Sequence, residues 1–143
     1  MFINQVSLVI LVVAILLSVG MQAYSVNRIV TFIRNRRGVI RSRIDLAELK
    51  EVINLNMKLA VVYIVLYVVF FILIVLMFVG GWASQAILIM FLFGIITLPV
   101  GLIGKHYENK IKSLRIESDD KEIERIFDTY LVQWKQARWK LPD

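Results

Sequence analysis

Six arginines, Arg28, Arg34, Arg36, Arg37, Arg41 and Arg43, stand in one run with no lysine among them. A guanidinium is a planar fork of donors matched to phosphate and carboxylate oxygens. Beside an anionic bilayer surface each such residue contributes about 1 kcal/mol, fading within a Debye length. The run therefore reads as a contact for the anionic inner leaflet or for a partner protein. A second interaction element lies in the tail. There Ile123, Ile126, Phe127, Tyr130, Leu131, Trp134 and Ala137 recur at steps of three and four residues, which predicts an amphipathic helix over 119–140. Acidic residues (Asp119, Asp120, Glu122, Glu124) crowd its start and basic ones (Lys135, Arg138, Lys140) its end, as the helix dipole favours, and Pro142 closes it. Ile123, Ile126, Phe127, Tyr130 and Trp134 form the expected interaction face. Three coverings are open to it: protein packing within the chain or an oligomer, the membrane surface, to which Trp134 and Trp139 are suited, or a foreign partner.

Catalytic chemistry has little to draw on. There is no cysteine, and the single histidine, His106, has only Glu108 close by in sequence. No nucleophile–base pair, metal-ligand spacing or phosphate-cradling glycine loop is visible. The expectation is a protein that is not an enzyme, with no cofactor and no metal. Ser7, Ser18, Gln22, Tyr63, Tyr67, Gln85 and Thr97 are the polar residues of the apolar segments. Ser and Thr there can bond their own helix backbone, and Gln22 and Gln85 fall near opposite ends of the spans. Tyr63, Tyr67, Phe70, Phe71 and Phe78 make an aromatic stripe that reads as packing. Gly94, Thr97, Pro99, Gly101 and Gly104 cluster in a third apolar segment. Pro99 removes a helix hydrogen bond and predicts a kink, with Thr97 and nearby backbone accommodating the freed carbonyl. The glycines predict close helix approach, although Gly101 and Gly104 do not have the GxxxG spacing.

The elements that must carry these residues follow from the charges. All charged residues lie in 28–58 and 105–143, so 1–27 and 59–104 hold none. A charge at the bilayer centre costs about 2.5–3.5 kcal/mol even on the lenient insertion scale, which makes this partition a membrane footprint. A first transmembrane helix is predicted in 1–27, and a basic connection in 28–57. A helical hairpin follows over 58–104, with spans 58–79 and 84–104 turning at Gly80-Gly81-Trp82, where Ser84 is the expected cap. Residues 105–143 form a tail in which the third helix runs on to about Arg115. Gly38 is expected to loosen or end the first helix. Asp45 with Glu48, and Asp119 with Glu122, match capping boxes. The N-terminus and the 80–83 turn hold no Lys or Arg, while residues 28–58 hold eight and the tail nine. The positive-inside pattern then sets the N-terminus outside and the C-terminus in the cytoplasm. A signal peptide over 1–24 would need a basic residue before Arg28.

The fold class expected is an all-α integral membrane protein with three spans and a cytoplasmic amphipathic helix, in a bacterial inner membrane. The net charge of +6 is accounted for by the residues bordering the spans, so nucleic acid is not an expected partner. The leading functional expectation is a non-catalytic accessory, assembly or scaffolding subunit, a homo-oligomer or bound to another membrane protein. The alternative is a homo-oligomeric channel with a kinked third helix. That layout is similar in outline to small-conductance mechanosensitive channels, with no residue motif that would carry a role across.

Overall fold

A computed structural model describes residues 2–136 and 141, with side chains from residue 5 onward. Ala137, Arg138, Trp139, Lys140 and Pro142, invoked above for the tail, lie outside the described residues. The described chain runs α1 (Phe2–Arg36), β1 (Val39–Ile40), α2 (Arg43–Val79), α3 (Ala83–Lys112), β2 (Arg115–Ile116) and α4 (Lys121–Trp134). The first three helices are long and apolar enough to cross a membrane. The 37 residues of α2 extend about 55 Å at the α-helical rise. A hydrocarbon core is about 30 Å thick, so the charged blocks continue the spanning rods and extend well past it.

Each end of these rods has a local cause. Helix α1 stops where Gly38 adopts φ +74°, after Arg37 at φ +52°. The Gly38 N–H then returns to the Ile33 carbonyl at 3.0 Å, satisfying an otherwise orphaned acceptor. Helix α2 starts earlier than expected. Its N-cap is Ser42, not Asp45; Asp45 is the third residue of the capping box, donating its N–H to Ser42 Oγ at 3.3 Å. Glu48 turns instead to Arg36. The reversal between α2 and α3 takes three residues. Gly81 sits at φ +81°, and the Trp82 N–H bonds the Met77 carbonyl at 2.9 Å. Ser84 does not cap α3: Trp82 holds the N-cap position without a side-chain hydrogen bond, and Ser84 is already in the first turn.

The strand pair was not anticipated, because two-residue strands leave no periodic signal. Val39 aligns with Arg115 and Ile40 with Ile116, in parallel. They run parallel because β1 leaves the C-terminus of α1 and β2 that of α3, and these two helices point the same way. This pairing ends α3 at Lys112, short of Arg115. Helix α4 then starts at Lys121, capped by Asp120 and not Asp119, with the Asp120 carboxylate accepting from the Glu122 N–H at 2.9 Å.

Packing is concentrated in two places. At the charged end, Ile29, Phe32, Ile40, Leu49, Ile53, Ile111, Ile123, Phe127 and Leu141 belong to one buried cluster. At the other end, Leu11, Phe70, Ile74, Met77, Ala86 and Ile89 form a second. Phe70 stacks on Phe93 at 4.2 Å between ring centroids, and Tyr67 meets Phe93 edge-on at 5.3 Å, tying α2 to α3. Helix α1 packs on both neighbours, which touch each other less. Between the two clusters the three helices part.

Candidate functional site

The gap between the clusters is a cleft of about 770 Å³, within the size range of small-molecule sites. Helix α1 contributes Ser18, Gln22, Ser25 and Ile29; α2 contributes Asn56, Ala60, Tyr63 and Tyr67; α3 contributes Thr97, Gly101, Gly104 and Glu108. These three sets share one spacing, i, i+4, i+7 and i+11, which keeps each on a single helical face. Many of the side chains are small or polar, so the faces meet without filling the space between them. Lys105, Lys112 and Trp134 complete the cleft at the charged end.

Most of the polar lining is committed internally. Ser18 Oγ donates to the Ala14 carbonyl at 2.8 Å, and the Tyr63 hydroxyl donates to the Ser18 carbonyl. Ser25 Oγ donates to Asn56 Oδ1, whose amide nitrogen donates to the Val52 carbonyl at 2.9 Å. Lys112 pairs with Glu108, and its Nζ lies 5.4 Å from the centroid of the Trp134 ring. The Gln22 amide, the Lys105 ammonium and the Tyr67 hydroxyl make no hydrogen bond among the described residues. Gln22 and Lys105 belong to one end of the cleft, and Tyr67 to the other.

Of the three third-helix glycines singled out from sequence, only Gly104 is closely approached by a side chain of another helix. A Cβ there would collide with Gln22 Nε2, whereas at Gly94 and Gly101 it would meet nothing within 4 Å. Within the chain, close approach is found at one of the three glycines. Helix α3 continues through Pro99. Thr97 Oγ1 bonds the Phe93 carbonyl at 2.7 Å, not the Ile95 carbonyl that Pro99 leaves without its helical donor. The obstacle at Gly104 is the end of a flexible side chain, so Gly104→Ala is expected to cost about 0.5–1 kcal/mol as Gln22 swings aside. In a Gln22→Ala background the same substitution should cost nothing further. Thermal unfolding in detergent across the double-mutant cycle measures this, and equal costs in both backgrounds would contradict the contact.

The arginine run is divided by the fold. Arg36 Nη1 lies 2.8 Å from Asp45 Oδ1, and its Nε and Nη2 bond Glu48 Oε2 at 2.9 and 2.6 Å. Arg41 reaches Glu117 at 3.3 Å, while Arg43 bonds Glu122 and stands 3.6 Å from Asp120. These three arginines fasten the chain's own segments. Arg28, Arg34 and Arg37 are exposed and make no ion pair among the described residues. The tail face is likewise engaged within the chain. Ile123 and Phe127 are each 4% exposed, and Ile126, Tyr130, Leu131 and Trp134 pack at the edge of the same cluster. Of the coverings left open by the sequence, the chain's own connection takes these residues. Leu141 adds a further tie, its N–H donating to Asn54 Oδ1 at 2.6 Å.

His106 is exposed, with its ring 5.5 Å from that of Tyr107. Among the described residues no group of three His, Cys, Asp or Glu side chains converges as a metal site. Three membrane-length helices, parted around a cleft and joined at one end by a folded cap, define a multi-pass helical membrane protein. No family model matches the chain, and no curated protein or solved structure matches it.

Proposed function

We propose that the chain is a non-catalytic accessory or assembly subunit of a membrane complex and that it acts by binding. The observation that carries this reading is the cleft. It is preformed between two packed clusters, yet its carboxylate and its hydroxyls other than that of Tyr67 are spent on internal bonds, which suits holding a component and gives no activated group. In this reading the N-terminus lies outside and the charged end in the cytoplasm, following the distribution of Lys and Arg. The membrane is a bacterial inner membrane. The exposed apolar faces of the spans meet lipid or the helices of other chains, and Arg28, Arg34 and Arg37 contact anionic headgroups. Helix α4 presents its apolar face to the cap and its charged face to the cytoplasm. Purification from native membranes in mild detergent, with intact-mass measurement, tests the reading. Foreign subunits at fixed stoichiometry are expected, and a bare monomer under conditions that preserve known complexes would overturn it.

A homo-oligomeric channel is the second reading. It is favoured by one observation: a Cβ at Gly94 would face open space and Pro99 is exposed, so this stretch of α3 is partly uncovered. A symmetric ring that passes ions in liposomes, with flux altered by Pro99→Ala and Gly94→Leu, is the expected signature. Background flux from the wild-type protein would remove this reading.

A further inference from the structure

We propose that the cleft holds one anionic phospholipid of the inner leaflet, with its phosphodiester between Gln22 and Lys105. The inference rests on the reading of the cleft as a binding site and names what it binds.

The argument begins with which groups remain available. Ser18, Ser25, Asn56, Tyr63, Thr97 and Glu108 all have partners within the protein. Toward an occupant, the middle of the cleft therefore offers mainly ring faces and methyl groups, with Val19, Leu59, Ile64 and Val100 also lining it. That surface suits an acyl chain. At the charged end the situation reverses. The Gln22 amide lies against Gly104, Lys105 is the next residue, and neither has a partner among the described residues.

An amide and an ammonium lining the same end of the cleft supply donors and a positive charge, the complement of a phosphodiester. Lys112 adds charge but is paired with Glu108, so the mouth carries a net charge of about +1, two lysines against one carboxylate. A headgroup with its own cation would gain less there than one without. The level is also right for a headgroup. Lys105 is the first charged residue after the uncharged stretch 59–104, so it marks where a span meets the interface.

The test uses the full chain, purified in detergent, stripped of lipid and titrated separately with phosphatidylglycerol and phosphatidylcholine under native mass spectrometry. Wild type is expected to retain one phosphatidylglycerol per chain and to prefer it over phosphatidylcholine. Lys105→Gln, which changes an exposed side chain, should weaken that binding about tenfold or more. Gln22→Ala should weaken it less, and Gly101→Phe, which adds bulk where the cleft is open, should abolish it. Arg34→Gln with Arg37→Gln should leave it unchanged. Equal retention of both lipids, insensitivity to Lys105→Gln, or loss on changing Arg34 and Arg37 would each overturn the proposal. So would displacement by soluble glycerol phosphate, which would make the ligand a free phosphate. Foreign subunits and bound lipid appear as separate masses. Loss of lipid with subunits retained therefore defeats this inference alone, and loss of subunits with lipid retained defeats the accessory reading alone.

Discussion

Phe127→Ala is expected to release helix α4 from the cap. The ring is 4% exposed within the cluster that includes Phe32, Leu49, Ile53 and Ile111, and truncating a buried Phe typically costs about 3–5 kcal/mol. The docking of a single short helix cannot absorb that loss. Helix α4 has 14 residues, a length at which isolated helices are marginal in water, so an undocked helix should also melt. Hydrogen exchange over 121–134 is the direct measurement. Protection there should fall by about two orders of magnitude, the equivalent of roughly 3 kcal/mol. The spans 5–27 and 58–104 should keep theirs. Val132→Ala, at a position 58% exposed, should change stability by less than about 0.5 kcal/mol. If Phe127→Ala leaves exchange unchanged in detergent yet alters it in anionic vesicles, the helix is held by the membrane surface and the docked arrangement is wrong.

Asp45→Ala should be the most damaging polar substitution in the cap. Asp45 is 5% exposed, and its carboxylate binds three residues at once. Its Oδ2 accepts from the backbone N–H groups of Arg41 at 2.9 Å and Ser42 at 3.1 Å, and its Oδ1 faces Arg36 at the end of α1. Removing it leaves two donors without their acceptor and dissolves the reciprocal half of the capping box, an expected cost of about 2–4 kcal/mol. Asp45→Asn keeps an acceptor but loses the charge and should cost less. Ser42→Ala removes only the hydroxyl half of the box, about 1 kcal/mol. Thermal unfolding in detergent ranks the three, and tryptic cleavage after Arg37 and Arg41 reports the same opening locally. A Ser42→Ala loss equal to that of Asp45→Ala would mean that the carboxylate acts only as a cap and that its bridge to α1 contributes nothing.

Much of the site was written in the sequence, but in a form that is only visible once three segments are compared. Ser18 and Thr97 read singly as self-satisfied polar residues, Gln22 as a residue near the end of a span, and Tyr63 as part of a packing stripe. Their shared spacing with Asn56 and with Gly101, Gly104 and Glu108 was the available signal. It names a face on each helix, but not that the three faces turn toward one another. The capping boxes failed for a related reason. Asp45 and Asp119 match the motif by residue type, yet Ser42 and Asp120 hold the N-cap positions. For Asp45 the reason is visible: at the third position its carboxylate can also meet Arg36, a contact that exists only after α1 and α2 pack.

The three membrane-length helices follow from the sequence alone. The cost of placing charge in hydrocarbon depends on the residues themselves, so an uncharged stretch of sufficient length is decisive wherever its neighbours fall. The ends of the rods at Gly38 and Gly81 are similarly local, set by backbone conformations that glycine adopts freely. The tertiary structure decided everything that depends on helix rotation and register. It committed Arg36, Arg41 and Arg43 to internal carboxylates while leaving Arg28, Arg34 and Arg37 exposed, and it folded the tail face onto the chain's own connection. It also opened a cleft where three small or polar faces meet. Periodicity fixes which side chains share a face, but the faces that meet are selected by the packing of both clusters together, and no single segment contains that information.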